Sequence, residues 1–125
     1  GQVHLQWEDL GGAFGSFGPN LVGGGPLTGG STATLAATGL PPNQQGLAWL
    51  SFQPAPFPYF GGTVHAFPFN TQVFLASNAV GQVNIATTWP TGLPAGIQGV
   101  IQILVNDPGI VGGISLTNGV RFTTP

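Results

Sequence analysis

The run Ile97-Gln98-Gly99-Val100-Ile101-Gln102-Ile103-Leu104-Val105, closed by Asn106-Asp107-Pro108-Gly109, decides the fold class. Apart from Gln98, Gly99 and Gln102 it is apolar on both faces, as expected of a strand covered on two sides, and Asn-Asp-Pro-Gly is strong turn chemistry. It reads as the most buried strand of an all-β protein. Downstream, residues 114–123 read as a last strand, with Ile114, Leu116, Val120 and Phe122 inward and Ser115, Thr117 and Arg121 outward.

Upstream, strand-like runs alternate with turns at the spacing of a sandwich or barrel. Residues 31–38 set Ala33, Leu35 and Ala37 against Thr32, Thr34 and Thr38, and a turn containing Pro41, Pro42 and Asn43 follows. Residues 47–53 come next, with Leu50 and Phe52 opposite Trp49. Three prolines make residues 54–60 an edge or loop, and residues 61–67 a short strand carrying His65. Residues 73–77 and 82–89 flank Asn78-Ala79-Val80-Gly81 and read as a hairpin. With residues 1–10 leading them, these runs are expected to form an antiparallel β-sandwich of about seven strands, of Ig-like or jelly-roll-like type.

Composition agrees with that reading. The 22 glycines and 12 prolines, about a quarter of 125 residues, exclude a helical bundle, while 42 % hydrophobic residues exclude a disordered chain. Charged residues make up 3 %: one Lys or Arg and three Asp or Glu. A single cation, Arg121, cannot neutralise a polyanion, so nucleic acid is excluded as a partner. Glu8, Asp9 and Asp107 match neither a calcium loop nor a glycosidase pair. His4 and His65 without a carboxylate or thiolate make an incomplete metal site, and no Ser stands in a nucleophile-elbow motif. No enzyme, cofactor or metal is expected. Arg121 opposite Asp107, Glu8 or Asp9 is expected as one structural ion pair.

There is no Cys, so neither disulfides nor thiolate metal sites are available. A chain that begins at Gly1 and contains no Met reads as a processed mature protein or an excised fragment, and signal-peptide removal from a secreted protein is the favoured expectation. No apolar run reaches the roughly 20 residues of a membrane helix, so no membrane span is expected.

Residues 31–125 resemble a Gly/Pro-rich β-domain that recurs near the C-termini of large secreted or surface proteins of planctomycete and myxobacterial type. The resemblance rests on the order of Gly39-Leu40-Pro41-Pro42-Asn43, Gly61-Gly62-Thr63-Val64, Asn78-Ala79-Val80-Gly81-Gln82, Pro90-Thr91-Gly92-Leu93-Pro94-Ala95-Gly96 and Ser115-Leu116-Thr117-Asn118-Gly119-Val120. It covers about three quarters of the chain and implies a secreted β module without a catalytic motif to carry over.

Residues 1–30 lie outside that resemblance. Residues 1–10 alternate, Val3, Leu5 and Trp7 against Gln2, His4, Gln6 and Glu8, and residues 11–30 read as a glycine-rich tether. A strand on a tether can pair at home or complete the sheet of another copy. The expectation is a structural subunit of an extracellular filament or cell-surface assembly, polymerising through Val3, Leu5, Trp7 and Leu10. The alternative is a carbohydrate-binding or adhesive module with polysaccharide as partner. There Trp49, Phe57, Tyr59, Phe60 and Trp89, amid Phe52, Phe67 and Phe69, form a platform for sugar rings.

Overall fold

The computed structural model describes residues 6–59, 61–110 and 112–125. The protein is all-β, its antiparallel sheets packed as a sandwich. Eleven strands appear among the described residues, more than the seven expected: β2 (Asn20–Gly24) forms within the expected tether, β5 (Phe57–Tyr59) within the Pro-rich stretch, and the expected last strand divides in two.

The larger sheet follows the path β1-β11-β9-β4-β7, with β1 at Trp7–Gly11, β11 at Gly119–Thr123, β9 at Gln98–Asn106, β4 at Gln45–Ser51 and β7 at Thr71–Ala76. The short β10, Ile114–Leu116, pairs with the far end of β9. The smaller sheet is β2-β3-β8: Asn20–Gly24, Thr32–Thr38 and Val83–Thr88. A hairpin of β5, Phe57–Tyr59, and β6, Gly62–Val64, stands apart.

Strand β9 is central and nearly fully buried, as its two-sided apolar pattern predicts. Alternation splits its side chains between two layers. Ile103 and Val105 pack with Leu21, Ala37 and Val83 of the smaller sheet, forming the main core with Ala48 and Val120. Leu104 turns the other way and packs with Val64 and Leu116, so the β5–β6 hairpin covers the opposite face.

Several expectations need correction. The strands of the expected 73–89 hairpin do not pair with each other: β7 pairs with β4, and β8 with β3 in the other sheet. The Asn78–Gly81 turn does close, Gly81 N–H donating to Asn78 O at 3.1 Å. It is nevertheless tied to a second turn, where Leu40 N–H donates to Gly81 O at 3.0 Å and Asn43 N–H to Asn78 O at 3.0 Å. Turn chemistry reports a reversal but not the sheet to which the next strand returns, and here it makes a corner between layers.

The expected last strand breaks into β10 and β11 at Thr117 and Asn118, and Ser115 and Thr117, expected outward, are wholly buried. Both have buried hydrogen-bond partners: Ser115 Oγ donates to Asp107 Oδ2 at 2.6 Å, and Thr117 Oγ1 accepts from Ile103 N–H at 2.9 Å. Phe52, expected within the 47–53 strand on the face of Leu50, falls beyond the end of β4 and is 47 % exposed. Residues 11–30 are not a free tether. They contain β2, paired along its length with β3, and Leu21 and Leu27 are both buried.

Candidate functional site

The N-terminal strand docks on the edge of its own sheet. β1 runs antiparallel to β11 with Trp7 opposite Phe122, and Thr123 N–H donates to Gln6 O at 2.9 Å. Trp7 enters the gap between the sheets, its indole edge-on to Phe122 with ring centroids 6.2 Å apart. Its Nε1–H donates to Gly25 O at 2.9 Å, and Gln6 Nε2 to Pro26 O at 2.8 Å. The slot exists because position 23 is glycine: a Cβ there would lie 2.1 Å from Trp7 Cε3. At the end of the strand, Gly11 and Gly12 hold φ of 70° and 87°, the left-handed region that glycine enters without steric cost.

Of the expected donor residues, Val3 and Leu5 lie outside the described residues, as does His4. Trp7 is the anchor. Leu10 belongs to another surface, lining a shallow pocket with Pro54, Pro56, His65 and Arg121. A register irregularity between Asp9 and Gly11 accompanies that turn of the chain.

Buried polar side chains tie this end together. Asn118 accepts from Leu21 N–H at 2.7 Å through Oδ1 and donates through Nδ2 to Leu21 O at 2.9 Å and Asp9 Oδ1 at 3.0 Å, linking β2 and β1 to the β10–β11 corner. Gln102, wholly buried on β9, donates to Thr63 O at 2.8 Å and Thr117 O at 2.7 Å while its Oε1 accepts from His65 N–H at 2.8 Å. Asp107 accepts from Ser16 N–H, Ser16 Oγ, Ser115 Oγ and Gly109 N–H. Burial opposes its charge, but these donors outweigh it and hold the carboxyl below the ordinary aspartate range. Burial lowers the pKa of His65; the Gly11 backbone and Asp9 pull it upward and Arg121 pushes it down.

Asp107 is therefore a loop staple, and Arg121 pairs with Glu8, its neighbour across β1 and β11, at 3.4 Å. Both partners are substantially exposed, so the pair contributes little. Among the described residues no group of three or more His, Cys, Asp or Glu comes together, and no helix is long and apolar enough to cross a membrane.

The expected aromatic platform divides. Trp49 stacks on Phe69 at 4.7 Å and meets Phe67 at 6.2 Å, while Phe67 meets Phe57 edge-on at 5.3 Å. Phe57, Phe67 and Phe69 are each about 40 % exposed, so this group reaches solvent. Trp49 Nε1 donates to Gln72 Oε1 at 2.9 Å, and Tyr59 Oη to Gly112 O at 2.9 Å. Trp89 is elsewhere, packed edge-on against Phe122 at 5.2 Å between the two main sheets. Phe60 lies outside the described residues.

Sequence reasoning missed the opposite side of the sandwich. Here β7 ends one sheet and β8 the other, and a cleft of about 280 Å³ opens between them. It is lined by Leu35, Leu50, Val73, Ile85, Thr87 and Ile101 with their neighbours, and none of its lining residues is charged. Beside it, Phe74 is 81 % exposed. The signal was present in β7, which carries apolar residues on both faces without a charge or proline to discourage pairing.

Compared with protein-family models, with curated proteins and with solved structures, the chain matches none.

Proposed function

We propose that this protein is a structural subunit of an extracellular filament or surface assembly and that its N-terminal segment adds as a β-strand to a neighbouring copy. One observation carries the reading. β1 adds at the edge of the larger sheet, anchored there by Trp7 and by Thr123 N–H donating to Gln6 O, and in the sequence the alternating Val3 and Leu5 directly precede it. An extended segment with apolar side chains at alternate positions is what strand addition to another copy uses. Low charge supports it further: a net charge of -2 gives copies little mutual repulsion. The resemblance to secreted Gly/Pro-rich β-domains fits the extracellular setting.

The test compares the intact chain with one lacking residues 1–5, which retains Trp7 and its slot. Sedimentation velocity and electron microscopy at rising concentration should show larger regular species for the intact chain alone. If both remain single copies, the assembly reading fails.

The carbohydrate-binding alternative is favoured by the solvent-reaching Trp49, Phe69, Phe67 and Phe57 group, since stacked rings can hold sugar faces. Affinity electrophoresis in soluble polysaccharides tests it: retardation of the intact chain, lost in Trp49→Ala, is the expected result.

A further inference from the structure

We infer that the acceptor for the N-terminal segment is the free edge of β8, where residues 1–5 of a second copy add as a fourth strand to the smaller sheet and seat Val3 and Leu5 in the cleft beneath β7. This rests on the assembly reading and says where the strand goes.

The sandwich is unequal. Its larger sheet has five strands abreast and its smaller sheet three, so the outer strand of the larger overhangs. On one side β2 meets β1 and β11, and Trp7 fills the gap. On the other side Leu75 still packs on the main core, but Val73 and Thr71 line an open cleft whose floor comes from Leu35, Ile85 and Ile101. One more strand beside β8 would cover this apolar floor and satisfy a second row of main-chain groups.

A donor for this place needs an uncharged extended segment with apolar side chains at alternate positions. Gly1-Gln2-Val3-His4-Leu5 meets that description without an Asp, Glu, Lys or Arg. The formal charges of the chain, Glu8, Asp9, Arg121 and Asp107, lie on β1, on β11 and in the turn after β9, away from the β7–β8 side.

The donor must come from another copy. Gln6 is fixed at the β1 edge by its bonds to Thr123 and Pro26. Val3 is three residues away, a reach of at most about 11 Å for an extended chain. A strand beyond β8 lies three strand spacings from β2, roughly 14 Å. Val3 and Leu5 therefore cannot lie along β8 of their own molecule.

The absence of native cysteine makes the test clean. A Leu5→Cys chain is mixed under mild oxidation with a Val73→Cys chain or, as control, a Val22→Cys chain; both acceptor positions are about half exposed, but Val22 lies on β2. Docking brings Leu5 and Val73 to an effective concentration near millimolar, so at about 10 μM protein their mixed disulfide should form about a hundredfold faster than the control. If assemblies form and need residues 1–5, but Val73→Cys cross-links no faster than Val22→Cys, the β8 acceptor is overturned and strand addition stands. If Leu5→Cys with Val73→Cys in one chain closes an internal disulfide in dilute monomer, the intermolecular assignment is overturned. Absence of any assembly by the intact chain ends both readings.

Discussion

At the scale of single residues, this cysteine-free protein uses buried polar side chains as cross-links. Asp107, Gln102 and Asn118 each bridge backbone or side-chain groups remote in sequence, and each would leave several buried partners unsatisfied if removed. The low pKa of Asp107 has a pH consequence. The folded state favours the carboxylate, so its contribution is fully present above the ordinary value of 3.8 and is lost as pH falls through the lower folded value, where the unfolded chain has already taken up a proton. Thermal melts should show stability declining below about pH 4, and Asp107→Asn should flatten that decline while lowering stability at neutral pH by about 2 kcal/mol. Gln102→Leu, which strands the Thr63 and Thr117 carbonyls and the His65 N–H, should cost about 3 kcal/mol in chemical denaturation. Neither role was legible beforehand. Gln102 stood out only as an interruption in an apolar run, and Asp107 only as a turn residue and one of three candidate partners for Arg121, because a polar side chain's partners come from the topology.

Among the elements, the ones written most clearly in the sequence were those whose period and burial agree. In β3, Ala33 and Ala37 turn inward and Thr32, Thr34 and Thr38 outward, and β9 is buried on both faces. The reading failed where glycine was taken for looseness. Residues 20–24 form β2 because Gly23 makes room for the Trp7 ring, a requirement that becomes visible only when the two strands meet. Gly23→Ala should therefore act on β1, expelling Trp7 or forcing it out of its slot at a cost of about 1–3 kcal/mol, seen as a red-shifted tryptophan emission and faster proteolysis near residue 10. The corner between β7 and β8 depends likewise on Gly81, which has φ of 72° and whose Cβ would lie 2.0 Å from Leu40 O. Gly81→Ala should lower the melting temperature more than Gly92→Ala, a glycine of similar φ with nothing within 4 Å.

For the whole molecule, the sandwich class was legible because it follows from composition and alternation together, whereas the division of strands between sheets was not. β4 and β9 are neighbours in space but remote in sequence, and β7 and β8 the reverse. The aromatic platform illustrates the same limit, since Trp49 and Trp89 belong to different packing clusters. With so few charges, assembly should vary little between low and moderate salt, a property that light scattering across a salt series can check. The pairing of β1 with β11 joins the first to the last of the described strands. During synthesis the sheet therefore stays open until its C-terminal strand has emerged, and β9 waits with one edge uncovered. Such remote pairings fold slowly, over milliseconds to seconds. A chain lacking β11 would present the edge of β9 that β11 covers, an unpaired row of main-chain groups open to strands of other chains. Pairing of β11 thus decides whether that edge of β9 is open or closed.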